Sequence, residues 1–233
     1  MKKQKIKKMN ISSYILIEHF LIIIISFQIF LSQTTPNITM KIKGEGTIYL
    51  FSQESYCEYK GEYPNKINLD GEDILDIKKG VDVKEMKVHE IKMYWNKKVN
   101  TSENMFCHNR AIIELDLSHF DTSEVTSMRL MFDGCSALTS INLNNINFKS
   151  VQEIDLMFYS CSNLTSLNLS NLDFPSLQSM YYMFSDCSNL EFIDFSNINL
   201  SSLNTMEYMF YNCEKLLKLN LSNLDFPSLQ SMD

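Results

Sequence analysis

The amino-acid sequence predicts a solenoid of 26-residue repeats. It would have short parallel strands on one face, short helical or 3₁₀ turns on the other, and a small β-rich N-terminal cap. The fourteen residues LNLSNLDFPSLQSM occur at 167–180 and again at 219–232, an offset of two periods. A Met-Phe pair and a cysteine also recur every 26 residues. A fixed period of about 20–50 residues is typical of architectures in which each repeat buries its apolar face against the next.

Three sets of residues define the repeat. The Met-Phe pairs lie at 105–106, 131–132, 157–158, 183–184 and 209–210. The cysteine column consists of Cys135, Cys161, Cys187 and Cys213. The apolar trios are Ile112/Leu115/Leu117, Leu138/Ile141/Leu143, Leu164/Leu167/Leu169, Leu190/Ile193/Phe195 and Leu216/Leu219/Leu221.

Each half of a repeat predicts one element. The segment LTSLNLSNL has apolar residues at positions 1, 4, 6 and 9, the spacing of a leucine-rich repeat with a short strand at its centre. Alternation along that strand places Leu167 and Leu169 inside and Asn168 outside. The segment SLQSMYYMFSDC, with Leu177, Met180 and the 183–184 pair on one side, predicts the helical or 3₁₀ turn. Together these halves predict a leucine-rich-repeat solenoid.

From the sequence, we expect the cysteine column to form the hydrogen bonds that the backbone of the turns needs. Position 9, an asparagine in one common leucine-rich variant, is apolar here: Phe120, Ile146, Leu172, Ile198 and Leu224. Three interpretations of the cysteines stay open, namely buried free thiols hydrogen-bonded to turns, disulfides along the column, and a metal site. Parallel side chains favour the first, because they do not supply disulfide or tetrahedral zinc geometry readily.

The recurring core MFxxCxxLxxLxL, and in particular LDLSHFDTSEVTSMRLMFDGCSALTSINL, resembles the BspA-like leucine-rich-repeat surface proteins. The resemblance covers about residues 88–233. It implies a leucine-rich solenoid on secreted or surface proteins associated with adhesion and with host or matrix contact. It implies no catalytic residues.

Residues 1–33 predict export. Five lysines within the first eight residues precede an apolar run at 11–31, and a polar segment follows. This layout is typical of a signal peptide, although Glu18 and His19 interrupt the run. Uncleaved, the run is close to the length that spans a bilayer, so a signal anchor is the alternative. We expect a secreted or cell-surface protein, attached to a membrane only through this segment.

Residues 34–87 predict the β-rich cap, and residues 88–233 the solenoid. The segment ITMKIKGEGTIYLF predicts a hairpin, because Gly44 and Gly46 interrupt its alternation. In VHEIKMYW, Val88, Ile91 and Met93 repeat the trio spacing and predict the first strand of the solenoid. The array stops at Asp233 midway through a repeat, so we expect either that it is truncated at its C-terminal end or that its last half repeat is frayed.

Charge and chemistry exclude several function classes. Without residues 1–33, 16 basic and 27 acidic residues remain, a net charge of −11. Such a field repels a phosphate backbone, so we expect no nucleic-acid partner. The methionines fall mostly on core columns, and His89, His108 and His119 have no pairing spacing. No nucleophile, dyad or phosphate loop is evident, so we expect no enzyme, cofactor or metal.

Cys57 and Cys107 lie outside the cysteine column. In the predicted oxidising compartment they are a possible disulfide that would attach the cap to the first repeat.

The outward strand positions form the predicted binding surface. Its residues are Asp116, Asn142, Asn168, Asp194 and Asn220, flanked by Ser118, Asn144, Ser170, Ser196 and Ser222. Glycosylation sequons begin at Asn37, Asn100, Asn163, Asn168, Asn199 and Asn220, two of them within this stripe. We expect the protein to bind a protein or glycan on another cell or matrix, most simply in adhesion. The alternative is a structural coat or spacer protein without a specific ligand.

Overall fold

A computed structural model of the chain describes residues 35–53, 55–74 and 80–232. One compact unit spans Asn37–Asp233. The predicted signal peptide or anchor lies outside the described residues. Within those residues, no helix has the length and apolar character needed to cross a membrane.

Nine strands lie in the described part of the chain and form two sheets. The strands are β1 (Ile38–Ile48), β2 (Lys66–Leu69), β3 (Glu72–Ile74), β4 (Val81–Tyr94), β5 (Ile112–Asp116), β6 (Ser140–Asn142), β7 (Ser166–Asn168), β8 (Phe192–Asp194) and β9 (Lys218–Asn220). A six-stranded mixed sheet has the order β3-β2-β4-β1-β5-β6, and a three-stranded parallel sheet has the order β7-β8-β9. The predicted leucine-rich-repeat solenoid with helical or 3₁₀ turns is therefore wrong.

The N-terminal strands belong to the same sheet as the first two repeat strands. Strand β1 lies between β4 and β5 and pairs antiparallel with both. Its alternate residues Ile38, Met40 and Ile42 are fully buried, as period-two alternation requires of a strand with one covered face. The predicted hairpin within this segment is wrong. Gly46, at φ 82°, instead forms part of a β-bulge at which β1 continues.

The segment VHEIKMYW is not the first repeat strand. It is the end of β4, which pairs antiparallel with β1 and β2. Ile91 and Met93 are buried, but Val88 is 49% exposed, so the apolar trio does not form one buried face. The trio spacing was coincidental here, because β1 rather than β4 pairs with β5.

Residues 100–232, which we call the repeat stack, are joined by hydrogen bonds that follow the period of 26. In β7 and β8, Ser166 pairs with Phe192 and Asn168 with Asp194, in parallel. Isolated bridges continue the same offset on the opposite side of the repeat, from Ser127 to Glu153 and onwards. Each repeat therefore satisfies much of its backbone through its neighbour.

A column of phenylalanines fills the centre of the repeat stack. Successive rings, from Phe106 through Phe132, Phe158 and Phe184 to Phe210, stack with centroids 5.3–5.8 Å apart. The first four are fully buried. Offset stacking of this kind adds about 0.5–1.5 kcal/mol per pair to the free energy of burial.

The predicted helical turn is replaced by a series of tight turns. Alternate amides bond across repeats, as the Tyr182 N–H does to the Glu207 carbonyl at 3.0 Å. The amides between them close turns, as the Met183 N–H does to the Met180 carbonyl at 3.3 Å. Tyr182 (φ 53°) and Asp186 (φ 61°) adopt left-handed backbone conformations. Left-handed residues at every fourth position interrupt an α-helix, so the apolar spacing reflects turns that face the core.

The duplicated fourteen residues have the same sequence and different surroundings. Leu169 and Met180 are 2% and 1% exposed, because the following repeat covers them. Their counterparts Leu221 and Met232 are 48% and 66% exposed. An apolar groove of about 580 Å³ opens there, bordered by Phe195, Leu219, Leu221, Leu224, Phe226 and Met232.

Candidate functional site

The predicted strand-face stripe uses its polar atoms within the protein. In all five repeats, the side-chain oxygen of the stripe residue accepts a hydrogen bond from the backbone N–H two residues later. The pairs are Asp116–Ser118 (2.8 Å), Asn142–Asn144 (3.1 Å), Asn168–Ser170 (2.9 Å), Asp194–Ser196 (2.8 Å) and Asn220–Ser222 (3.2 Å). This is an Asx-turn, in which the side chain replaces a backbone acceptor at the end of the strand. The stripe therefore has a structural use that the sequence did not indicate.

Neighbouring stripe residues also bond to one another. The Asn142 amide donates to the Asp116 carboxylate at 3.1 Å, and the Asn220 amide donates to Asp194 at 3.0 Å. Hydrogen bonds from the side chain and backbone of Ser196 hold the pKa of Asp194 below its usual value. These contacts fix the side chains and leave fewer free donors and acceptors for a ligand.

The six sequon asparagines differ in exposure. Asn100, Asn163, Asn168 and Asn199 are exposed, whereas Asn37 and Asn220 are half-buried. The Asn37 side-chain amide donates a hydrogen bond to the His119 carbonyl at 3.4 Å, and the Asn220 side-chain amide donates one to Asp194 at 3.0 Å. A glycan on either of these two would have to replace an existing contact.

The cysteine column contains free thiols that donate to backbone carbonyls of the preceding repeat. The pairs are Cys135–Phe106 and Cys161–Phe132 at 3.1 Å, and Cys187–Phe158 and Cys213–Phe184 at 3.0 Å. Burial raises the pKa of each thiol, that of Cys213 to about 11. Protonated, hydrogen-bonded thiols of this kind are structural and unreactive.

The two cysteines outside the column are joined in a disulfide, with Cα atoms 6.5 Å apart. Cys57 is on the segment between β1 and β2, and Cys107 follows the first Met-Phe pair. The bond therefore attaches the N-terminal region, residues 37–99, to the first repeat.

The three histidines of the described chain lie in separate places. His89 is buried in β4 and contacts Asp70 at 2.6 Å. His108 lies 3.4 Å from Asp133, and His119 is exposed beside Ser118. Of these, only His108 belongs to a group of metal-ligand types in the described residues, with Cys57 and Cys107.

A cluster of five tyrosines, three half-buried and two exposed, lies on the surface of the repeat stack. We call it the tyrosine cluster: Tyr159, Tyr181, Tyr182, Tyr208 and Tyr211. The rings of Tyr182 and Tyr208 stack at 4.9 Å, and Tyr181 meets Tyr182 edge-on at 4.4 Å. Tyr159 and Tyr211 extend the cluster on either side, at 6.4 and 6.5 Å. Tyr208 and Tyr211 are 39% and 55% exposed.

Carboxylates accompany the tyrosine cluster. A hydrogen bond to Asp186 raises the pKa of Tyr159. Asp155 accepts a hydrogen bond from the Tyr181 backbone N–H at 2.8 Å, and the Glu207 carboxylate accepts one from the Ser231 hydroxyl. The surface therefore combines rigid aromatic rings with negative charge.

This cluster was not predicted from the sequence, because the turn half of the repeat was interpreted only as core. Four of the five tyrosines occupy the positions immediately before or after a Met-Phe pair, and Tyr181 precedes Tyr182. Reading those flanking columns across repeats would have shown that aromatic residues accumulate in the last three repeats.

The fold and its surfaces define a repeat protein whose 26-residue units share one core and present side chains from successive turns. Residues 76–191 and 139–233 match the family described as "Mycoplasma protein of unknown function, DUF285". The chain belongs to this family. No curated protein and no solved structure matches the chain.

Proposed function

We propose that the chain is a secreted or cell-surface protein that binds another macromolecule, in adhesion, through the tyrosine cluster. The mutually packed and partly exposed rings of the cluster are the observation that carries the proposal. The resemblance to BspA-like surface proteins and the export segment predicted from the sequence at 1–33 support the location and role. The proposal assigns no catalytic residue.

Tyrosine is well suited to such a surface. It offers a large contact area with few rotatable bonds and a hydroxyl that bonds to the partner, so it is enriched at protein interfaces. The contacts between Tyr182, Tyr208 and Tyr181 further restrict the rings before binding. Less conformational entropy is then lost when a partner docks.

The charge around the cluster favours a basic protein over a neutral glycan as the partner. Asp155, Asp186 and Glu207 lie in the same turns as the tyrosines. Arginine and lysine side chains can stack on tyrosine rings and also pair with these carboxylates. Because charge complementarity accelerates association, we expect the association rate to fall with added salt.

The test compares binding of the secreted protein to cells or matrix with binding of the variant Tyr182→Ala/Tyr208→Ala. Tyr49→Ala, which removes a tyrosine 53% exposed outside the cluster, is the matched control. We expect the double variant to lose about 30-fold or more in affinity, as loss of a residue contributing about 2 kcal/mol would cause. Equal binding by wild type and double variant would refute the proposal.

The alternative, a structural coat or spacer protein, is favoured by one observation. In the strand-face stripe, the side-chain oxygens accept hydrogen bonds from the stripe's own backbone, which leaves fewer of them for a ligand. Replacing Asn142 and Asp194 with bulky charged residues tests the stripe directly. If neither the stripe variant nor the tyrosine variant changes adhesion, and wild type shows no saturable binding, the spacer function holds instead.

A further inference from the structure

Four side chains with metal-binding groups meet where the N-terminal region contacts the first two repeats. The ligand atoms of Cys57, Cys107 and His108 all lie within 4.8 Å of one another. The Asp133 carboxylate lies beside this group, 3.4 Å from His108 Nε2 and 3.6 Å from Cys107 Sγ. We call these four residues the junction cluster.

The repeat register brings the cluster together. Cys107 and Asp133 are 26 residues apart and occupy the same position of successive repeats. The next position holds His108 and Gly134. A Cβ atom at Gly134 would lie 2.5 Å from His108 Nδ1, so the imidazole fits only because residue 134 is glycine. Later repeats carry Ser160, Asp186 and Asn212 there, so this space occurs at the first junction alone among the described repeats.

We propose that the junction cluster is a redox-controlled zinc site, closed by the Cys57–Cys107 disulfide and opened when that bond is reduced. The four ligands would be two thiolates, one imidazole and one carboxylate. Two sulfurs, a nitrogen and an oxygen form a donor set that suits tetrahedral Zn²⁺. The site is independent of the binding proposed for the tyrosine cluster.

The reaction balances with a dithiol as the reductant. The dithiol gives two electrons and two protons to the protein disulfide, whose S–S bond breaks, and is itself oxidised to a disulfide. Each cysteine thiol then loses its proton as its sulfur binds Zn²⁺. In the reverse reaction a small-molecule disulfide accepts two electrons from the two zinc-bound thiolates and two protons from solvent, and is reduced to two thiols; the protein S–S bond reforms and the ion is released.

Asp133 supplies a reason for a cation here. It is 6% exposed, and its contacts with His108 Nε2 and Cys107 Sγ are 3.4 and 3.6 Å long. A buried carboxylate with these two long contacts has lost hydration without a close compensating charge. A bound dication would compensate it.

The cluster is also reachable from solvent. Cys107 and His108 line an opening of about 400 Å³, together with Thr47, Ser52 and Arg110. The cysteine column does not offer an equivalent site, because its thiols are committed to carbonyls of the preceding repeat.

The test is a Co²⁺ titration followed by displacement with Zn²⁺, on oxidised protein and on protein reduced with a phosphine, which adds no competing thiol. We expect one equivalent of Co²⁺ with thiolate-to-metal charge-transfer absorption in the reduced protein and none in the oxidised protein. His108→Gln and Asp133→Asn should each weaken the site by more than the roughly 10–100-fold that an outer-shell partner costs. The matched controls His119→Gln and Cys213→Ser should bind as wild type.

Binding by the oxidised protein, no binding by the reduced protein, or equal affinity in His108→Gln would each overturn the proposal. Reduction could also loosen the fold, which near-ultraviolet circular dichroism detects. In that case Zn²⁺ must restore the native spectrum, because metal binding is coupled to folding. Failure to restore it would equally overturn the proposal.

Discussion

The duplicated fourteen residues allow one substitution to be tested in two environments. Leu169→Ala and Leu221→Ala remove the same side chain from the same local sequence. Leu169 is 2% exposed, and its truncation would leave a cavity between repeats, at a cost of about 3–4 kcal/mol. Leu221 is 48% exposed, so its side chain gains only about half of the 1.5–3 kcal/mol that full burial of a leucine provides. Its truncation also leaves no closed cavity. We expect a cost near 1 kcal/mol.

Urea denaturation followed by circular dichroism measures both free energies of unfolding, and thermal melts give a second estimate. At about 2–4 °C per kcal/mol for a domain of this size, Leu169→Ala should lower Tm by roughly 6–16 °C and Leu221→Ala by roughly 2–4 °C. Equal losses would refute the reasoning, because they would mean that both leucines have equivalent neighbours. A larger loss at Leu221 would reverse the assigned burial.

Two further predictions concern the N-terminal region. Replacing Cys57 and Cys107 with serine removes a disulfide between residues 50 apart in the chain. It should lower the free energy of unfolding by about 4 kcal/mol, measured by denaturant unfolding without added metal. A loss below about 1 kcal/mol would contradict this prediction. Hydrogen bonds to the Glu85 carbonyl and to Asp70 raise the pKa of His89, and the Glu90 N–H and His89 lower that of Asp70. The stabilisation that the His89–Asp70 ion pair gives the folded state is therefore lost as pH rises through the raised His89 pKa or falls through the lowered Asp70 pKa. The free energy of unfolding of the wild type should exceed that of His89→Gln by up to about 1 kcal/mol between about pH 4 and 6.5. A difference that does not change with pH would show that the His89–Asp70 ion pair does not stabilise the fold.

The sequence showed the repeat but not the conformation of its turns. The period of 26 is visible because equivalent residues, such as Leu167 and Ile193, occupy equivalent places in adjacent strands. Apolar residues at Leu177, Met180 and Phe184 fit both a helix and a series of turns facing a core. The left-handed backbone at Tyr182 decides between them, and tyrosine gives no local indication of that conformation.

Long-range pairing explains the other errors. Strand β1 pairs with β5 although β2, β3 and β4 lie between them in the chain. The apolar spacing of Val88–Met93 could not show that β1, rather than β4, would pair with the first repeat strand. The polar stripe was visible as a column, but its Asx-turns depend on backbone geometry at the strand ends. The tyrosine cluster needed both the period and the turn conformation to be recognised as one surface.

The stacking of repeats underlies the account of both surfaces, and nuclear Overhauser spectroscopy tests it most directly. Parallel strands lie about 4.8 Å apart, so backbone protons of Leu167 and Ile193, and of Ile193 and Leu219, should show cross-peaks at the register of 26. The segment 177–187 should lack the continuous i to i+3 contacts of a helix. Helical contacts along 177–187, with no cross-peaks between residues 26 apart, would contradict the account.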